Sequence, residues 1–174
     1  MIKMDRRQIN AKGGFTLIEL LLYVSIAGVI FLAGSTFLFL ILQSRVKNQT
    51  IAEVEQQGIQ VLQIITQSIR NAEGINSPPS GSGASSISID VPSAPNDPTV
   101  FDLAAGVVRI KEGTGSPISL TSTSVTASDV TFENLSRVGT PGVIRIQFTL
   151  TRATLTGRNE YDYSKTFYGS ASLR

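Results

Sequence analysis

The sequence predicts an α+β fold: one long N-terminal helix, membrane-spanning in its first half and amphipathic in its second, packed on a C-terminal antiparallel β-sheet. Three observations predict it. Residues 20–44 form an uncharged, mostly apolar run. From Gln43 to Glu73 apolar residues recur at helical spacing on one side only. Beyond Ser86 the pattern changes to short alternating segments divided by Gly, Pro, Asn and Ser.

The first run fits a membrane. At about 1.5 Å per residue it spans roughly 38 Å, enough to cross a hydrocarbon core of ~30 Å with some tilt. Lys3, Arg6, Arg7 and Lys12 precede it against one acid, Asp5, whereas Arg45 and Lys47 follow it. That asymmetry predicts a cytoplasmic N-terminus and an external C-terminal part. Between Lys12 and Arg45 the only charged residue is Glu19. An acid inside a bilayer costs roughly 2.5–3.5 kcal/mol at mid-helix on insertion scales, so such a group is expected to have a partner.

The stretch Lys12-Gly13-Gly14-Phe15-Thr16-Leu17-Ile18-Glu19-Leu20 resembles the processing site of type IV prepilins and type II secretion pseudopilins. The resemblance extends from Lys12 to about Leu42. It implies cleavage after Gly14 by a prepilin peptidase, methylation of the new amino group on Phe15, and pairing of Glu19 with the N-terminus of a neighbouring subunit. Two competing signals are poorer. A secretory h-region is shorter than this run, although Ala33-Gly34-Ser35 offers a cut site. Leu32-Ala33-Gly34-Ser35 has Ser35 where a lipoprotein needs cysteine. Small residues at Gly28, Gly34, Ser35 and Thr36 suit close helix packing in lipid, and equally suit an ordinary membrane helix.

The second half of the helix carries Ile51, Val54, Gly58, Val61, Leu62, Ile65, Ile69 and Ala72 on one stripe, widened by Ile59 and Ile64. No proline occurs between Phe15 and Ser77, so one continuous helix is expected, ending near Gly74 ahead of Pro78-Pro79. A coiled-coil seam would look similar, but few flanking charges could set its register. The expected divisions are a leader at 1–14, a transmembrane half at 15–44, an amphipathic half at 45–74 and an extracytoplasmic β-rich domain at 75–174.

Within that last part, Ser77 to Ser86 reads as a flexible connector. Strands are expected at Ile87-Ile89-Val91, at Val108-Ile110, at Ile118-Leu120 after the Gly113–Pro117 turn, and from Val130-Phe132. The clearest is Ile144-Ile146-Phe148-Leu150, alternating with Arg145, Gln147, Thr149 and Thr151. Tyr161, Tyr163 and Phe167 mark a last strand. Period-two alternation gives one buried and one solvated face, and the Ile51–Ala72 stripe is the cover for the buried one.

Composition excludes several chemistries. The chain has 174 residues, no Cys and no His, which removes thiolate and imidazole metal sites and Cys-His or Ser-His nucleophiles. Of 15 basic and 13 acidic residues the first fourteen positions hold four and one, so the remainder has 11 and 12. No basic nucleic-acid surface is therefore expected. Asp97 and Asp102 near the Pro95–Pro98 turn could offer oxygens to calcium, but the spacing is far from an EF-hand. Glu160 and Asp162 alternate on a strand edge and read as solvated. Gly113-Thr114-Gly115 lacks the Lys-Ser/Thr ending of a phosphate loop. Asn48 and Asn134 head chance glycosylation sequons, and Arg45 and Lys47 are expected at lipid headgroups.

No catalytic residues, cofactor or metal are expected, since no acid, base and nucleophile converge. The expected role is a structural subunit, and the partners that the resemblance implies are other pilin or pseudopilin subunits, the prepilin peptidase and membrane lipid. The block Val107–Lys111 followed by Ile118–Ser122 resembles the larger minor subunits, the J type of secretion pseudopili and the W type of pili. The alternative is a single-pass adhesin or binding module that never polymerises.

Overall fold

A computed structural model describes residues 14–137, 139, 141–152 and 161–174. They divide into two compact units at the Leu42/Gln43 boundary. The helix α1 (Leu17–Arg70) is unbroken through both. Nine strands follow among the described residues: β1 (Gly74–Ser77), β2 (Gly83–Ala84), β3 (Ile87–Asp90), β4 (Thr99–Ala104), β5 (Val107–Glu112), β6 (Ile118–Ser119), β7 (Thr126–Asn134), β8 (Val143–Arg152) and β9 (Tyr163–Ser172). The α+β architecture expected from the sequence is the one found, with the β part divided between two sheets.

In the first unit, the large apolar side chains from Phe15 to Leu42 are all exposed. The hydroxyls of Ser25, Ser35 and Thr36 donate to the carbonyls of Leu21, Phe31 and Leu32, four residues back, at 2.9, 2.8 and 3.0 Å. These three hydroxyls are thus satisfied within the helix itself, as polar groups surrounded by lipid must be.

In the second unit the helix is one-sided. Thr50, Val54, Gly58, Val61, Ile65 and Ile69 are buried and Ile64 packs against them, whereas Ile59, expected to widen the same face, lies outside it and is half exposed. Period 3.6 places the buried set on one stripe. One core unites it with Ile87 and Ile89 of β3, Phe101 of β4, Val108 of β5, Phe132 of β7, the alternating Ile144, Ile146, Phe148 and Leu150 of β8, and Phe167 of β9.

The sheets have the orders β1-β3-β4-β5-β6 and β2-β7-β8-β9, and every pairing is antiparallel. The longest ladder runs from Val143 opposite Ser172 to Arg152 opposite Tyr163 without a register shift. It presses β9 along α1. Phe167 stacks on Phe148 with ring centroids 5.4 Å apart, and its ring reaches the α1 backbone at Gly58. A Cβ at that position would lie 2.0 Å from the Phe167 ring. Gly58 costs roughly 1 kcal/mol of helix propensity relative to alanine, and the close approach it permits is the reason it is there.

Polar contacts fasten the same faces. Glu53 accepts hydrogen bonds from Arg152 and Ser124, and the Gln57 side chain bonds the Ser122 hydroxyl and amide, each at 2.9 Å. Lys165 donates to Glu55 at 2.6 Å, and that bond holds its ammonium above the usual lysine range.

Three expectations are corrected. The helix ends at Arg70, not near Gly74: the Glu73 amide donates to the Asp90 carbonyl at 2.8 Å, and Gly74 opens β1. Ser77–Ser86 is not a loose connector, because it contributes to β1 and β2 and is stitched to Asn134. The buried Asn134 side chain donates to the Pro78 carbonyl at 2.7 Å and accepts from the Ser136 amide at 3.0 Å. Its backbone bonds Gly81 and Ser82 at 2.7 and 2.8 Å. The strand β4 was not anticipated at all.

Two substitutions test this packing by thermal or urea unfolding of the full chain in detergent micelles. Gly58→Leu should destabilise the second unit by about 1–3 kcal/mol, the usual cost of overpacking. Asn134→Ala should cost a similar ~1–3 kcal/mol by leaving buried backbone groups unsatisfied.

Candidate assembly site

The start of α1 brings the sequence-predicted residues within two turns of one another. Thr16 precedes the helix and Glu19 lies in its first turn, where an acid is favoured by the partial positive charge of the unpaired amides. The Glu19 amide donates to Thr16 Oγ1 at 3.4 Å, and the Leu20 amide to the Thr16 carbonyl at 3.2 Å. Thr16-Leu17-Ile18-Glu19 is thus a capping-box sequence, a helix start signal written in the chain itself. It fixes where the helix begins, and with it the position of Glu19.

The Glu19 carboxylate itself makes no hydrogen bond or ion pair with any described residue. Around it Phe15, Leu17, Ile18, Leu20 and Leu22 are exposed. Phe15 lies against Tyr23, with ring centroids 5.5 Å apart and the planes tilted by 43°. A Cβ built on Gly14 would meet nothing within 4 Å. No packing among the described residues therefore demands a glycine at that position. Gly28 and Gly34 are equally open.

The helix carrying these residues is long and apolar enough to cross a membrane, with a mean hydropathy of 2.3 over its most apolar window. Its exposed apolar surface is continuous from Phe15 to Leu42 and needs lipid or other protein around it.

The remaining candidates are occupied with structural work. Asp102 forms a bidentate pair with Arg109 at 2.9 and 2.6 Å, and this holds the guanidinium above its ordinary pKa. Asp97 accepts the Val91 amide at 3.2 Å. Among the described residues no group of three potential metal-ligating side chains converges. Gly113 has φ +51° and donates its amide to Asn96 and Pro98 carbonyls, at 3.1 and 3.0 Å. A Cβ there would strike the Pro95 carbonyl, so this glycine serves a backbone junction. Lys47, expected at headgroups, instead donates to the Asp162 carbonyl at 2.5 Å and lies 6.0 Å from the Tyr163 ring centroid. Asn134 is buried, which removes it as a glycosylation acceptor in the folded chain. Glu160 lies outside the described residues.

One family model matches, described as the prokaryotic N-terminal methylation motif, over residues 9–35. No curated protein and no solved structure matches the chain. The methylation motif, taken with the single apolar helix that runs through it, supports a structural subunit of the type IV pilin and pseudopilin kind, anchored in a membrane and assembling with other such subunits.

Proposed function

We propose that this chain is a minor subunit of a type IV pilus or type II secretion pseudopilus, of the J or W type, inserted in the cytoplasmic membrane with its N-terminus inside. Residues 1–14 are the leader, 15–44 the transmembrane half of the helix, 45–70 its amphipathic half and 71–174 the external β-rich domain. Prepilin peptidase cuts after Gly14, the amino group of Phe15 is methylated, and Glu19 pairs with the Phe15 ammonium of a neighbour.

The observation that carries this reading is Glu19: a carboxylate without a partner among the described residues, set in an exposed apolar surface. A freed amino group is cationic at neutral pH, and methylation keeps the charge. In low dielectric the attraction between the two is strong, while desolvation offsets much of it. Leaving either group alone in the membrane is the costly state. Pairing across chains removes that penalty for both, and does so at one axial offset between neighbours. Gly14 supports the same reading, since its lack of a side chain answers to no contact among the described residues. A requirement imposed by a protease accounts for it.

Two experiments test the proposal. Glu19→Ala should leave a cleaved, membrane-resident protein that no longer copurifies with filaments or partner subunits, because removing one member of a buried pair costs on the order of 3–5 kcal/mol. Incorporation at the wild-type level would refute the pairing. Replacing Gly14 with Leu should give a precursor retaining residues 1–14, read from the mass of the N-terminal peptide. A mature N-terminus at Phe15 despite that substitution would refute processing at this bond.

A further inference from the structure

The four strands at the ends of the two sheets are unequal. β2 and β6 have two residues each, and β1 has four with a register shift beside Ile75. Shortness and irregularity are the usual protections of an exposed sheet edge. β9 has neither: it is ten residues long, has no register shift and contains no proline. Its one charge, Lys165, is engaged by Glu55. Among the described residues its backbone pairs only with β8.

What lies beside that edge is defined. Lys47 meets Asp162, Glu55 meets Lys165, Gly58 meets Phe167 and Leu62 meets Gly169, so β9 runs along α1 in the same direction. Glu55, Ile59, Leu62 and Thr66 follow one another at spacings of four, three and four, forming the helix strip that flanks the edge. Ile59 is 51% exposed. At the far end is a depression lined by Leu62, Thr66, Arg70 and Arg174, among others. Neither arginine makes an ion pair with a described residue.

We propose that the outer edge of β9 is a docking site for an extended segment of another protein, which adds as a fifth strand to the β2-β7-β8-β9 sheet. Its backbone satisfies the open edge. Its inward side chains are apolar and cover Ile59 and Leu62, and an acidic side chain at one end meets Arg70 and Arg174. Backbone bonds supply affinity in such strand addition, and alternate side chains supply selectivity. A second copy of this chain is a poorer occupant. Antiparallel edge pairing, the more stable kind, would turn its α1 the opposite way, whereas chains anchored in one membrane by the same helix run it the same way. That clause rests on the membrane-anchored reading; the strand addition does not.

The test uses the full chain in detergent micelles and a labelled synthetic peptide of about ten residues, alternating Val and Thr with a terminal Glu, the length of one such edge. Fluorescence anisotropy should show saturable binding. N-methylation of alternate peptide amides, Ile59→Glu and Arg70→Glu should each weaken it by about tenfold or more, the scale of losing several backbone or charge-assisted bonds. Thermal unfolding checks that both variants stay folded. No binding, or binding indifferent to N-methylation and to both substitutions, overturns the proposal. Since the chain has no cysteine, Ser170→Cys adds a second measurement: a disulfide-linked homodimer on oxidation would assign the edge to a second copy and overturn the stated occupant. Neither measurement depends on Glu19, so the outcome is separate from that of the pairing experiment.

Discussion

The second unit depends on the burial of a single stripe of α1. Val54, Val61, Ile65 and Ile69 would expose a continuous apolar surface if left alone, and one turn of helix cannot hide another. Both sheets contribute side chains to the core that covers it, and the chain crosses between them in its first strands. β1 joins one sheet, β2 the other, and β3 returns to the first. The tightest point is where Phe167 enters the space left by the missing side chain of Gly58. Close packing of this kind makes the interior stiff and intolerant of added volume.

Two glutamates on the same helix show how environment assigns their roles. Glu53 is tied to Arg152 and Ser124, and so contributes to seating the helix on the strands. Exposed or half-exposed pairs of this type contribute only about 0–1 kcal/mol each, so they orient the helix more than they stabilise it. Glu19 has apolar neighbours and no partner among the described residues. One helix therefore carries a carboxylate whose bonding is complete inside the molecule and one whose bonding is not. The proposed function follows from that difference.

Much of this was legible in the sequence, and the reasons for the rest are specific. The stripe on α1 and the β8 alternation were clear because each keeps one period over many residues. The sheet strands at Val108, Ile118 and Phe132 fell where short alternations met Gly or Pro turns. β4 was missed because its facing residues mix types: Thr99 is buried beside Phe101, and Asp102 stands on the other face, paired with Arg109. A polar residue whose partner lies across a hairpin reads as loop until the pairing is known. The Ser77–Ser86 stretch misled for a related reason. Its Ser, Pro and Gly composition suggests freedom, but the restraint comes from Asn134, some fifty residues downstream, which nothing local reveals. At the N-terminus the reverse held. Gly14, Phe15 and Glu19 were visible as a motif, while the fold itself makes little use of the first two.

The hydroxyls of Ser25, Ser35 and Thr36 have a mechanical consequence. Because each is spent on a carbonyl of its own helix, the spanning segment presents neighbours with a greasy surface almost free of directional bonds. Helices bundled through such surfaces resist being pulled apart sideways far more than being slid lengthwise. In the proposed filament, neighbouring helices would therefore keep their axial step through the Glu19 pairing and not through their apolar flanks.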